Sequence, residues 1–528
     1  MSRADSRLVA AVVACSLVGL ALRLVALGER PFHWDEARVG VWALRFARTG
    51  AFEYRPVAGG PLPYHLARAS LALFSPSDLS ARLPVALVGG LLPLSALGLR
   101  TRLSDRETAL LAAFLALSPP LVYYGRVLRG DLLLAAAAFV ACVSVVRVVD
   151  TNGPARRRFA YVAVLAAAAA LAASGFVVAT VACVVAAGSV VLDARRLSFD
   201  ALVSTPARLR ARSTLLARLF LVGVAAVVFL FAPRGGSVSL WNPLSLPGVL
   251  GFVFVEAPGR FFAVRVASRS ADGVGHALLP FVVSLGRTLL AAAPVTLLCG
   301  LVGFFHERYA GSDRPAVALF AVWAGAGLLL FPAVAEVDAP WTAVHVVVPL
   351  AVPAAVGLAR GVDVVQAAVA REDAAVVASA LLVASAGVAG VGAVFADDVY
   401  GSPTPESALA GYAQPADGLD PFAANLSGGK TVLYYGDRVH TRDWNEADGP
   451  PVPESWGTRL PLPWYVAREG ASSTSLPSGA PLPAEPPAVV VTVPEERERL
   501  GSELTGYEAS GYRLALWNRE VVVFVRRS

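Results

Sequence analysis

Long apolar runs, broken by short arginine-bearing turns, fill the chain from its first residues to about Phe395. A helix crossing the hydrocarbon core of a bilayer needs about 17–25 such residues. Read this way, residues 8–28, 82–99, 107–123, 131–149, 159–174, 176–192, 216–233, 277–305, 315–333, 341–360 and 374–395 give about eleven spans. Ser174 and Gly175 leave only a minimal turn between the fifth and sixth. The eighth is too long for one straight crossing and must tilt or begin in the interface. The first run has short charged flanks and no small-residue cleavage site, so it reads as a signal anchor rather than a removable signal peptide.

Three segments between or after these runs have a different pattern. Residues 29–81 contain an amphipathic stretch, Asp35–Arg48, and a short apolar run, Tyr64–Phe74, suited to lying in the plane of the interface. Residues 234–276 mix Trp241, Phe252, Phe254, Phe261 and Phe262 with Arg260, Arg265 and Arg269. That mixture suits the headgroup level and could grip a lipid phosphate. Beyond about Ala396 the runs stop. Pro and Gly become frequent, and strand-like runs occur at Thr431–Tyr435 and Ala488–Val493, with a short helix opening at Glu495–Leu500. Tyr512–Trp517 and Val521–Val525 read as a hairpin across Asn518-Arg519-Glu520. The expected fold is an α-helical polytopic membrane protein with a small C-terminal α/β domain. Residues 1–395 form the membrane part, with outer loops 29–81 and 234–276, and residues 396–528 form the tail.

Charge orients the threading. Arg3 and Arg7 precede the first span. Arg100, Arg102 and Arg106 follow the second; Arg147 and Arg156 to Arg158 follow the fourth; Arg195, Arg196, Arg208, Arg210 and Arg212 follow the sixth. Alternate threading puts all of these on one side, which the positive-inside rule makes cytoplasmic. With an odd number of spans the C-terminal domain is then outside. The bias is incomplete, because Arg38, Arg45, Arg48 and Arg55 fall on the outer side.

Composition supports a membrane protein: the 528 residues are 56% hydrophobic and 16% charged, too few polar groups to cover a soluble protein of this size. Lys430 is the only lysine, and the arginines sit at the ends of apolar runs, which fits membrane lipids as partners and excludes a nucleic-acid partner. The tail after Ala396 has 18 acidic and 11 basic residues against a net charge of +6 for the whole chain, so the membrane part is strongly basic. An acidic tail with Arg in place of Lys suits a high-salt habitat. Cys15, Cys142, Cys183 and Cys299 lie inside apolar runs without metal-ligand spacing. Asn425-Leu426-Ser427 is an acceptor sequon for N-glycosylation.

Candidate chemistry gathers on the outer side. Asp35-Glu36 follows the first span in His33-Trp34-Asp35-Glu36-Ala37-Arg38. One carboxylate could take the proton of an acceptor hydroxyl, or the pair could hold a divalent cation such as Mg or Mn beside a phosphate leaving group. A solvated helix N-terminus, where the dipole favours acids, is the structural alternative. Arg126, Arg129 and Asp131 form the turn between the third and fourth spans. Guanidinium groups pair with phosphate oxygens, and Asp131 could orient one of them or approach the acceptor; charges that keep a loop out of the bilayer are the alternative. Trp341 and His345 open the tenth span, as an interface anchor and a structural histidine or as ligands of phosphate or sugar. The chain has no glycine-rich phosphate loop, zinc pattern or Ser/His/Asp arrangement, which counts against an ATP-driven pump and a soluble nucleotide-sugar enzyme. Scarce intramembrane acids and bases count against a proton-coupled transporter.

Together these features resemble the GT-C class of membrane glycosyltransferases, such as protein O-mannosyltransferases and lipid A aminoarabinose transferases. The resemblance is closest to the haloarchaeal flippase-activity-associated proteins. It is carried by HWDEARVGVWALRFARTGAFEYRP, SDLSARLPVALVGGLLPL, LVYYGRVLRGDLLLAA, APWTAVHVVVPLAVPAAVGLA, RLPLPWYVAREG and YRLALWNREVVVFV, which run from the first loop to the C-terminus. It implies a multi-pass cell-membrane protein that moves a sugar from a polyprenyl (dolichol) phosphate donor to an extracytoplasmic glycan or glycoprotein acceptor. Asp35 would be the base, with Glu36 and Asp131 supporting it or a metal. Arg126 and Arg129 would face the donor phosphate, and Arg38, Trp341 and His345 would complete the substrate contacts. Relatives usually carry a Lys at the turn between the fifth and sixth spans, where this chain has Ala173-Ser174-Gly175-Phe176. That departure keeps open a second function, a non-catalytic accessory protein assisting the flipping of polyprenyl-linked sugars.

Overall fold

The computed structural model describes all residues except 1–2, 57–58, 195–205, 264–276, 312–313, 336, 412–413, 442–452, 516–518 and 528. Arg195, Arg196, Arg265, Arg269 and the hairpin residue Asn518 therefore lie outside the described residues.

Every apolar run is helical. The first ten helices are α1 (Arg3–Leu24), α2 (Trp34–Thr49), α3 (Pro61–Leu73), α4 (Asp78–Leu91), α5 (Asp105–Leu117), α6 (Pro119–Tyr124), α7 (Gly130–Asp150), α8 (Gly153–Ala173), α9 (Val177–Ala194) and α10 (Pro206–Phe231). Two short helices, α11 (Leu246–Gly251) and α12 (Ala257–Phe262), flank a π-turn at Phe252–Glu256. The bundle is completed by α13 (Leu278–Ala292), α14 (Pro294–Tyr309), α15 (Pro315–Val334), α16 (Ala343–Ala370) and α17 (Ala374–Val394).

Seven of the described helical stretches are long and apolar enough to cross a membrane, or eight if one bent pair counts as a span. The bent pair replaces the expected eighth span: α13 and α14 meet at 104° across Ala293, because Pro294 has no N–H to continue the first helix. The expected third span breaks similarly at Ser118, before Pro119-Pro120, into α5 and α6. Helix α16 sits at the centre, 94% buried over its most apolar window, whereas α10 and α17 have no buried residue in theirs and face outward.

Arginine–carboxylate pairs fasten one end of the bundle. Arg102 meets Asp150 at 2.5 Å, Arg106 meets Asp363 at 2.5 Å, and Arg314 bridges Glu107 at 2.8 Å and Glu307 at 2.7 Å. These residues sit at the C-terminal ends of α7 and α14, the N-terminal ends of α5 and α15, and late in α16. The opposite end holds α2 and α3, the α6–α7 turn, the start of α16 and the C-terminal domain.

That domain contains α18 (Asp420–Ala424), α19 (Pro453–Arg459), α20 (Leu462–Arg468) and α21 (Arg497–Glu503). Its sheet has the order β2-β1-β3-β5-β4, with β1 at Thr431–Tyr435, β2 at Ser472–Leu476, β3 at Val489–Thr492, β4 at Tyr507–Arg513 and β5 at Glu520–Arg526. β1 runs parallel to β2 and β3, while β5 pairs antiparallel with both β3 and β4. β4 and β5 pair antiparallel as the expected hairpin does, but β4 is Tyr507–Arg513 rather than Tyr512–Trp517, and Glu520, expected in the turn, opens β5. β2 lacks the apolar residues that would mark a strand; it is an edge, so only its parallel pairing to β1 specifies it.

Candidate active site

The turn Pro31–Glu36 starts at the end of the first span and is shaped by the N-terminus of α2. His33 caps the helix in extended conformation: its Nδ1 accepts from the Asp35 N–H at 3.1 Å, and its own N–H donates to Glu36 Oε2 at 2.9 Å. This reciprocal cap satisfies two N–H groups that a helix start leaves unpaired. It also turns the two neighbouring carboxylates in different directions.

Glu36 goes inward. Arg82 of α4 donates from Nε to its Oε1 at 2.8 Å and from Nη2 to its Oε2 at 2.6 Å, and the Leu128 N–H adds a bond to Oε1 at 2.6 Å. The Arg82 Nη1 also donates to the Leu27 and Arg30 carbonyls. Both side chains are buried. Burial pushes the Glu36 carboxyl up, but Arg82 and the backbone donors pull it below its ordinary value. Glu36 is a fastener between the first loop, α4 and the α6–α7 turn, and it has no oxygen to spare for catalysis or for a metal.

Asp35 goes outward. Its Oδ2 accepts from Arg129 Nη1, and Arg129 Nε donates to Asp131 Oδ2 at 2.9 Å. The other Asp131 oxygen lies 3.4 Å from His345 Nε2. Beneath this chain, the Arg129 guanidinium sits 3.7 Å over the Trp341 ring, a desolvated cation–π contact that fixes its plane. His345 stacks on Phe331 with centroids 4.4 Å apart and meets the edge of Phe176 at 5.5 Å. Side-chain exposure falls along the chain from 20% at Asp35 through 13% at Arg129 and 4% at Asp131 to 1% at His345. Asp35 is the open end. Burial pushes its carboxyl up, while Arg129, His33 and Arg38 together pull it below its ordinary value, so it is ionised at neutral pH.

The structure thus brings Asp35, Arg129, Asp131, Trp341 and His345 together from three separate segments. It places the other expected residues elsewhere. Arg126 donates to the Val399 carbonyl at 3.1 Å and the Ala26 carbonyl at 3.0 Å and lies over Tyr400, tying the end of the last long helix to the first loop. Arg38 lies over Trp34 at 4.2 Å, one turn along α2 from Asp35. Trp341 is buried beneath Arg129 and is no interface anchor. Asp35 and Glu36 do not fit a shared metal ion, because each carboxylate already faces its own arginine. Among the described residues, no three His, Cys, Asp or Glu side chains are grouped to hold one.

The lysine-free turn closes the inner wall. Gly130 lies so close to it that a Cβ there would sit 2.0 Å from the Ala173 carbonyl oxygen, and the following Phe176 sets its ring edge-on against His345. Farther along α2, a cavity of about 400 Å³ opens between Trp42, Arg45, Phe52–Arg55, Arg234 and Arg260. It is lined by four arginines against two glutamates, Glu53 and Glu256, both of which pair with Arg260 at 2.6 and 2.5 Å. Arg82 and Phe176 are the residues that reading the sequence missed. Arg82 was detectable as a lone cation at the start of an apolar run.

With this geometry in hand, the chain can be compared with known proteins. Residues 56–235 match the family model for dolichyl-phosphate-mannose-protein mannosyltransferases, and residues 417–526 match that for the C-terminal domain of the Agl23 flippase-associated protein. Each match covers only part of the chain, a mannosyltransferase-type segment and a flippase-associated-type C-terminal domain. ArnT from Cupriavidus metallidurans bound to undecaprenyl phosphate superposes with a TM-score of 0.58 at 18% identity, over 97% of both chains. Its apo form gives 0.57 at 17% identity, again over 97% of both. The archaeal oligosaccharyltransferase AglB from Archaeoglobus fulgidus, in complex with an inhibitory peptide and a dolichol-phosphate, gives 0.48 at 16%, over 98% of this chain and 75% of AglB. No curated protein matches the sequence. The shared fold is that of ArnT, and the mannosyltransferase-type match includes the Arg129–Asp131 turn.

Proposed function

We propose that this GT-C protein transfers a sugar from a dolichol-type polyprenyl phosphate to a glycan or glycoprotein acceptor on the extracytoplasmic side, with Asp35 as general base. The observation that carries the reading is the half-open Asp35–Arg129–Asp131–His345 chain, built where three segments of the bundle converge. The acceptor oxygen attacks the anomeric carbon, the bond from that carbon to the phosphate oxygen breaks, and polyprenyl phosphate leaves. Asp35 takes the acceptor proton. Arg129 is the cation paired with Asp35 and can pair with phosphate as it pairs with carboxylate. A donor phosphate that draws Arg129 away from Asp35 also removes the charge that weakens Asp35 as a base, so donor binding and base activation are linked. The arginine-rich cavity at the far end of α2 has the charge and the aromatic lining to seat an anionic or sugar group of either substrate. No metal enters this scheme.

The test is a glycan comparison by mass spectrometry in host cells carrying wild type, a deletion, or Asp35→Asn at matched expression, with a chelator arm on isolated membranes. Loss of the same sugar in both the deletion and Asp35→Asn, accumulation of the lipid-linked donor, and chelator resistance are the expected results. Full replacement of wild type by Asp35→Asn would sink the base assignment. It would favour the accessory reading that the apolar Phe176 turn leaves open.

A further inference from the structure

The C-terminal domain makes its most closely packed contact with the membrane part at the loop that carries Asp35. The indole of Trp464 stacks on Phe32 with centroids 4.6 Å apart and planes 11° off parallel. Its Nε1 donates to Asp78 Oδ1 at 2.7 Å. Next to it, the Tyr465 hydroxyl accepts from the Phe32 N–H at 3.0 Å and donates to Asp78 Oδ2 at 3.2 Å. Arg468 Nη1 adds a bond to Asp78 at 2.9 Å. Phe32, Trp464 and Tyr465 are essentially inaccessible, and Asp78 is 6% exposed.

The contact continues on both sides. Gln414 Nε2 donates to the Pro31 carbonyl at 2.9 Å, the same oxygen that Arg82 reaches from the membrane side. Trp34 Nε1 donates to the Gly457 carbonyl at 2.8 Å, and Arg519 Nη1 donates to that oxygen at 2.7 Å. One turn into α2, a Cβ on Gly40 would lie 2.8 Å from the Trp464 ring, so only glycine lets the helix approach this closely. Pro31, Phe32 and Trp34 are thus each held by the C-terminal domain, and Asp35 is the next residue.

We propose that α20 of the C-terminal domain is a positioning element for the catalytic loop, with Tyr465 as its positioning residue. This rests on the base assignment to Asp35. Tyr465 touches no substrate; it acts by pinning the Phe32 N–H and Asp78 so that the cap at His33, and with it Asp35, stays in place, against Arg129 until a donor phosphate draws that arginine away. A carboxylate held within a fraction of an ångström of its productive place loses rate steeply when the support slackens. A passive lid would behave differently. Loosening it would change substrate affinity and leave the turnover and the Asp35 titration alone.

The experiment compares Tyr465→Phe and Trp34→Phe with wild type in the full-length, membrane-reconstituted protein, using a synthetic polyprenyl phosphate hexose as donor. Tyr465→Phe keeps its ring and loses only the hydroxyl bonds to Phe32 and Asp78, whereas Trp34→Phe removes the indole N–H bond to Gly457 together with one ring of the side chain. Tyr435→Phe removes a hydroxyl bond to Ala480 inside the same domain, 2.7 Å long and away from the loop, and controls for domain stability. Tyr465→Phe is expected to lower kcat about 10-fold, which corresponds to one well-placed hydrogen bond. The donor KM should stay within about twofold, and the acid limb of the pH profile should move to higher pH as the Asp35–Arg129 pairing loosens. Should Tyr465→Phe not fold, Trp34→Phe carries the same test. Folded Tyr465→Phe and Trp34→Phe with wild-type kcat and pH profile, beside an inactive Asp35→Asn, would overturn the positioning role alone. An active Asp35→Asn would overturn the base assignment beneath it.

Discussion

Asp35 keeps a side chain 20% exposed, while its neighbour Glu36 keeps 1%. The difference lies in their partners. Glu36 meets both edges of the Arg82 fork and two backbone N–H groups, an arrangement that offsets the large cost of burying a charge. Asp35 shares Arg129 with Asp131 and stays partly exposed. Arg129 is therefore the residue on which Asp35 titrates. Because Arg129 pulls the Asp35 carboxyl below its ordinary value, the base stays ionised until pH falls under the usual carboxylate range. Any stability the pair contributes is present above the unfolded carboxylate value and lost as pH falls through the depressed one. Arg129→Gln leaves burial opposed by fewer cations. The acid limb of the rate profile should then move to higher pH, together with a lower kcat; a limb that stays in place would separate Asp35 from the rate.

Among the elements, breaks rather than continuous helices build the site. The α6–α7 turn supplies Arg129 because Arg129 is extended at the N-cap of α7, just before the fourth apolar run begins. The α8–α9 turn lies directly against it, with the Ala173 carbonyl accepting from the Gly60 N–H at 3.1 Å and facing Gly130. Gly130→Ala should therefore push these two turns apart, lower the melting temperature of the detergent-extracted protein by several degrees and remove activity. At Gly188 nothing lies within 4 Å of an added Cβ, so Gly188→Ala should leave both unchanged within the propensity difference of about 1 kcal/mol. Equal effects at both positions would mean that the contact between the turns carries no weight. Helix α2 was legible from its amphipathic stretch, and α13–α14 was legible as apolar but not as bent. Proline marks a break, and the direction of the bend is set by what the two halves pack against.

For the whole molecule, the two ends differ in chemistry. Surface arginine–carboxylate pairs close one end, and the site, the arginine-lined cavity and the acidic C-terminal domain occupy the other. The proposed topology puts the second end outside the cell. In a variant with the four native cysteines replaced, a cysteine at exposed Gly418 should react with a membrane-impermeant maleimide on intact cells, while one at exposed Arg100 should react only after lysis. The reverse pattern would invert the topology and with it the side on which the acceptor is met.

The sequence alone determined that this chain enters a membrane many times, where most of its long helices fall to within a few residues, with Pro206–Phe231 and Ala343–Ala370 each about ten residues longer at one end than expected, and that a Pro- and Gly-rich α/β tail follows. Those properties rest on apolar periodicity, which is local. It also marked Asp35, Arg129, Asp131, Trp341 and His345, since charged and aromatic groups at the ends of apolar runs are costly unless used. Only the tertiary structure decided which of these meet. Glu36 and Arg82 are 46 residues apart, Asp131 and His345 are 214 apart, and Trp464 and Asp78 are 386 apart. Pairing over such separations leaves no periodic trace, so adjacent Asp35 and Glu36 read alike in the chain. Helix packing turns one into a buried fastener and leaves the other partly exposed.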